Sequence, residues 1–184
     1  ERFFNYRKDI PILILDDKYN FLDKKLKSKG YTNILKLKDS TEFKFRELSL
    51  TLFEPFTKHT FHESVLGNLI DSALLVKDID GTTAFNANDN TPSIDACRKL
   101  KDKFGKFNLA MINYNAAGPY PSCFQNLSNQ EKKEAHKNVL DRNINHLIEC
   151  CNVLKPKSIL PFAGAYVLGG KEWGKNEFLG TTTW

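Results

Sequence analysis

The run IPILIL, Ile10 to Leu15, is apolar without interruption and of strand length, the pattern of a strand covered on both faces. After Asp16-Asp17 the segment YNFLDKKLKSKG places Phe21, Leu22 and Leu26 on one side of a short helix near 19–29, with Gly30 as its stop. NILKLK then alternates as a strand. EFKF and LSLTLFEPF follow, separated by Arg46-Glu47, and read as an antiparallel hairpin although no glycine stands at the turn. Strands are expected next at Ser72–Val76 and Thr83–Ala87, joined by the turn pair Asp80-Gly81.

From Thr91 the period changes. Thr91 or Asn90 can cap a helix, Pro92 suits its first position, and Ile94, Cys97 and Leu100 or Phe104 recur at helical spacing, predicting a helix over 92–104. Leu109–Ile112 reads as a strand. Ser128-x-x-Glu131 is a capping box at the head of a long helix over 129–154. That helix shows an apolar stripe of Ala135, Val139, Ile144, Leu147, Cys151 and Leu154. Lys155-Pro156 ends it, and a last strand is expected at Ser158–Leu160. Antiparallel strands come first and strand–helix alternation second. That order predicts an α+β sandwich of sheets with helices outside, one domain over 1–184, and not a doubly wound parallel sheet.

Composition narrows the class. The 184 residues are 41% hydrophobic and 27% charged, enough for one domain with a buried core, and no apolar run is long enough for a membrane span. The chain opens on Glu1 and closes on LGTTTW, so both ends are expected to be incomplete. The net charge of +5 sits largely on Lys24, Lys25, Lys27 and Lys29 and on Lys99, Lys101, Lys103 and Lys106, read as solvated helix faces. Arginines and aromatics are not interleaved on one surface, so no nucleic acid and no membrane is expected as partner. A small anionic molecule is expected instead, and self-association into a homo-oligomer stays open. Cys97, Cys123, Cys150 and Cys151 lack zinc-knuckle spacing and read as reduced thiols of a cytoplasmic protein.

Three segments carry candidate chemistry beyond strand ends, where sites form in layered α/β folds. PFTKHTFHES holds His59, His62 and Glu63; NANDN holds Asn88, Asp89 and Asn90; and NYNAAGPYPSCF holds Asn115 with Tyr114 and Tyr120. Two histidines and an aspartate on one rim suit zinc or iron. Asn88-Asp89-Asn90 carries more polarity than capping needs. A Gly-x-Ser-x-Gly elbow, a Walker loop and a Gly-x-Gly-x-x-Gly turn are all absent. His136 and His146, on the long helix, read as solvated.

The series FLDKKLKSKGYTNILKLKDSTEFKFRELSLTLFEPFTKH, the histidine loop, IDSALLVKDIDGTTAFNANDN and FNLAMINYNAAGPYP resembles the metallo-β-lactamase fold superfamily from about Pro11 to Gly170. NDN between SALLV and AGPYP looks most like the branch of CMP-N-acetylneuraminate hydroxylase-type proteins and their bacterial relatives in surface-sugar metabolism. The resemblance implies the αββα sandwich, with its N-terminal part missing here. It implies Asp89 as the strand-end metal ligand, His62 (or else His59) as the loop ligand, and Asn88, Asn115 and Tyr120 as substrate contacts. The family's His-x-His-x-Asp-His motif is absent and would precede Glu1, and LPFAG lacks the usual final histidine, so the metal set in this chain is expected to be incomplete. The implied activity is metal-dependent hydrolysis of a small anionic substrate, such as a nucleotide sugar or surface carbohydrate. Asp89 would be catalytic through its metal, zinc or iron. The rivals are an oxidoreductase component like the sialic-acid hydroxylases and a non-catalytic binding domain that has lost its metals.

Overall fold

The computed structural model describes residues 7–16, 21–56, 72–114, 118–162 and 166–179. Strands β1 (Ile12–Leu15) and β2 (Ile34–Leu37) form a parallel pair linked by α1 (Phe21–Ser28). Strands β3 (Glu42–Phe45), β4 (Leu48–Phe53), β5 (Ala73–Lys77), β6 (Thr83–Asn86), β7 (Leu109–Asn113) and β8 (Ser158–Phe162) form a second sheet in chain order. Its first three pairings are antiparallel and its last two parallel, because α2 (Ile94–Phe104) and α3 (Asn129–Leu154) carry the chain back between β6, β7 and β8. A run of 3₁₀ turns, Gly170–Phe178, follows. Every predicted strand and helix is present, with ends shifted by a few residues at most.

Alternation sorts the side chains into layers. On the six-stranded sheet Phe53, Ala73, Leu75, Phe85, Ala110 and Ile112 pack under α2 and α3, against Cys97, Leu100, Cys150 and Leu154. Phe85 is fully buried and meets Phe53 and Phe107 edge-on. On β1–β2, Ile12, Ile14 and Ile34 face α1, meeting Leu22, Leu26 and Tyr31. Lys36 shares that face by register and reaches Asp23 of α1 at 2.9 Å. The other face of the pair carries Leu13, Leu15, Leu35 and Leu37, and β1 lies beside β4. The order is therefore helix, two-stranded sheet, six-stranded sheet, helices. The second layer has two strands against six, and Leu160 on β8 remains 50% exposed.

Local signals explain most boundaries. Gly30 ends α1 with φ 84°. The β3–β4 hairpin closes through Arg46, which takes the left-handed conformation (φ 54°) that glycine would occupy without strain. Gly81 (φ 82°) turns β5 into β6, and Asp78 accepts from the Thr82 amide at 2.8 Å. The Ser128–Glu131 capping box forms as expected, and Lys155 ends α3 in the left-handed region.

Five expectations need correction. Helix α2 is capped by Ser93, whose hydroxyl accepts from Ala96 N at 3.2 Å, and not by Thr91 or Asn90. Pro92 lies before the helix because its carbonyl is held by α3. His146 is not solvated: its Nε2–H donates to that carbonyl at 2.9 Å, which fixes the proton on Nε2. Cys150, not Cys151, is the core residue of α3; it is fully buried, and its thiol donates to the same carbonyl. Two of the α2 lysines are also not merely solvated. Lys101 Nζ donates to Leu154 O at 2.8 Å and Lys103 Nζ to Ser40 O at 3.0 Å. No helix among the described residues is long and apolar enough to cross a membrane.

Candidate functional site

The carboxyl ends of β4 and β6 meet at one rim, and Asn90 joins them. It is 4% exposed; its Nδ2 donates to Glu54 O at 2.9 Å and its Oδ1 accepts from Phe56 N at 2.8 Å. A backbone exit from β4 is thereby pinned to the turn that leaves β6. Asn88 makes that turn, in the left-handed conformation (φ 52°) that asparagine tolerates better than most residues. The Asn88 amide donates to Asn86 Oδ1 at 2.9 Å, and Asn90 N donates to Ala87 O.

The polar run thus divides its labour. Asn88 bends the chain, Asn90 ties it to β4, and Asp89 stands between them, exposed, with no hydrogen-bond partner among the described residues. Of the other predicted site residues, Tyr120 is 46% exposed and packs edge-on against Phe124, whereas Tyr114 is buried and offers no hydroxyl to a substrate at the surface. His59, His62 and Asn115 lie outside the described residues.

Beside this rim a cavity of about 310 Å³ opens between α2 and the end of β4, lined by Glu54, Phe56, Ser93, Asp95, Lys99 and Lys103 among others. Asn90's two backbone partners therefore form part of its wall, while Asp89 does not line it. Among the described residues no three His, Cys, Asp or Glu side chains come together in a way that could hold a metal ion. Asp89 supplies one carboxylate, and one carboxylate does not make a metal centre.

Sequence reasoning missed a thiol pair under the helices. Cys97 and Cys150 are both fully buried, and Cys150 Sγ is 3.5 Å from His146 Nε2. A hydrogen bond to Cys150 and burial push the Cys97 thiol well above its ordinary value, and the same bond draws Cys150 down. Neither spacing nor periodicity carries a signal for such a pair, which depends on how two helices cross.

No family model matches the chain, and no curated protein matches it. Solved structures do. It is similar to CmlA, a diiron β-hydroxylase from Streptomyces venezuelae, with a TM-score of 0.59 and 13% identity over 94% of this chain. It is also similar to the metallo-β-lactamase fold protein YhfI from Bacillus subtilis, with a TM-score of 0.50 and 9% identity over 96% of this chain. The chain spans 33% of the length of CmlA and 62% of that of YhfI. At such identities the likeness is one of fold.

Proposed function

Taking the chain as a protein of the metallo-β-lactamase fold, we propose that it is a metal-dependent enzyme whose centre lies at the rim where β4 and β6 end, and that it hydrolyses a small anionic substrate. The observation that carries this reading is the Asn90 clamp, which sets the Asp89 turn directly against the exit of β4. The chain then runs from Phe56 to His59 in three residues, a span of at most about 11 Å. His62 lies three residues further along the sequence.

In this reading Asp89 and one of the two histidines bind the metal, and further ligands come from residues outside those described. A bound zinc or iron would lower the pKa of its water towards about 7 and so supply hydroxide. The chain's own contribution is positional. Asn86 and Asn90 hold the turn, so that the Asp89 carboxylate is presented without a competing hydrogen bond. Asn88 and Tyr120, both exposed, and Asn115 contact the substrate, for which a nucleotide sugar or surface carbohydrate is the class we favour. Free thiols at all four cysteines suit a reducing, cytoplasmic setting.

Oxidation is the second reading, and the fold likeness to CmlA, described as a diiron hydroxylase, is what favours it. Metal analysis separates the two. Zinc that is lost in Asp89→Ala, together with phosphoester or ester hydrolysis, supports the first reading. Paired iron with oxygen consumption supports the second. A metal-free protein would support the non-catalytic binding domain.

A further inference from the structure

A second cavity, of about 420 Å³, opens on the helix-covered face of the large sheet, at the end remote from Asp89. It arises because α2 stops at Phe104 and Gly105 (φ 75°) turns the chain away, leaving the start of β6 and parts of β4 and β5 uncovered. Register places Ser49, Lys77 and Thr83 in one row across the strands, and Glu42, Thr51 and Leu75 in the next. Lys103 and Lys106 reach it from the end of α2 and the loop beyond. Thr83, at the start of β6, and Asp89, past its end, stand at opposite rims.

Two features of this cavity lack a structural use. Lys77 and Lys106 have no ion-pair partner among the described residues, and the three lysines face one lining carboxylate, Glu42. Thr51 lines the cavity, and its hydroxyl makes no hydrogen bond to the described residues. Leu75 and Phe104 supply an apolar wall beside this polar group. Three lysines lining one cavity beside a single carboxylate make it electropositive, which favours an anion there. Lysines are suited to phosphate as mobile point charges, and hydroxyls donate to its remaining oxygens.

We propose that this cavity binds a small organic phosphate, with the phosphoryl group held by Lys77, Lys106 and Thr51 and an apolar body against Leu75 and Phe104. The site is independent of the Asp89 rim and needs no metal. Calorimetric titration of the protein at low ionic strength with phenyl phosphate and with inorganic phosphate tests it. Saturable binding of phenyl phosphate is expected, tighter than that of inorganic phosphate. The double variant Lys77→Ala/Lys106→Ala should weaken it about tenfold or more, a loss of about 1.4 kcal/mol. Thr51→Val should weaken it with the fold kept by circular dichroism. The double variant Lys24→Ala/Lys25→Ala, which removes the same charge from α1, and Asp89→Ala should leave it unchanged. Equal loss in the α1 variant, equal affinity for the two phosphates, or no saturable binding would each overturn the assignment.

Discussion

Replacing Asn90 by alanine removes the clamp between β4 and β6 and leaves the rest of the turn in place. Two hydrogen bonds go, to Glu54 O and from Phe56 N, both in part-buried surroundings. Each is worth about 0.5–1.5 kcal/mol net, and a backbone group left unpaired away from water costs about 1–3 kcal/mol. We therefore expect Asn90→Ala to lose about 2–4 kcal/mol in urea or guanidinium denaturation. For a chain of this size that is a fall in Tm of roughly 5–15 °C. Asn90→Asp sharpens the test. Its carboxylate would keep the acceptor for Phe56 N but set a second anionic oxygen against Glu54 O, so burial and that carbonyl raise its folded pKa above the unfolded value. A raised pKa means that stability is fully present below the unfolded pKa and is lost as pH rises through the folded one. Asn90→Asp should therefore approach wild type on acidification, whereas Asn90→Ala should not. An Asn90→Ala variant within about 0.5 kcal/mol of wild type, the usual range of a surface substitution, would refute the clamp.

Other outcomes follow from single side chains. Arg46→Gly should stabilise the chain by about 0.5–1 kcal/mol, since it relieves a left-handed backbone, less the flexibility that glycine adds to the unfolded state; thermal denaturation reads this. A thiol reagent should label exposed Cys123 first and half-buried Cys151 more slowly, reaching Cys97 and Cys150 only after unfolding, with the order read by mass spectrometry. Asp23 is held below the usual carboxylate range by Lys36 and then Lys27. Its contribution is therefore present above the unfolded carboxylate pKa of about 3.9 and is lost as pH falls through the lower folded value. The gap between wild type and Asp23→Asn in urea midpoints should accordingly close on acidification.

The fold was legible where the information is local. Period-two alternation marked β2, the Asp80-Gly81 turn joined β5 to β6, and Ser128-x-x-Glu131 announced α3. Pro92 misled because its carbonyl is committed to His146, a partner 54 residues away that no local pattern reveals. The α2 lysines read as a solvated face because a lysine reaching a carbonyl on a distant element, as Lys101 does to Leu154, has the same sequence signature as one in water. At the candidate site, the polar run Asn88-Asp89-Asn90 reads in the sequence as a single signal. Only the bonds from Asn90 to Glu54 and Phe56, across the rim where β4 and β6 end, show that Asn90 is structural and that Asp89 is left without a hydrogen-bond partner among the described residues.

The most direct test of the central claim is elemental analysis of the purified protein as it natively occurs, beside its Asp89→Ala variant. We expect about one or two zinc or iron ions per chain in wild type, and loss of metal and activity together in the variant, whose far-ultraviolet dichroism is unchanged because Asp89 makes no hydrogen bond among the described residues. The 184-residue chain alone should hold metal weakly, since catalytic zinc sites draw on about three protein ligands. Metal retained undiminished in Asp89→Ala, or tightly bound stoichiometric zinc in the 184-residue chain that survives the loss of Asp89, would contradict the account.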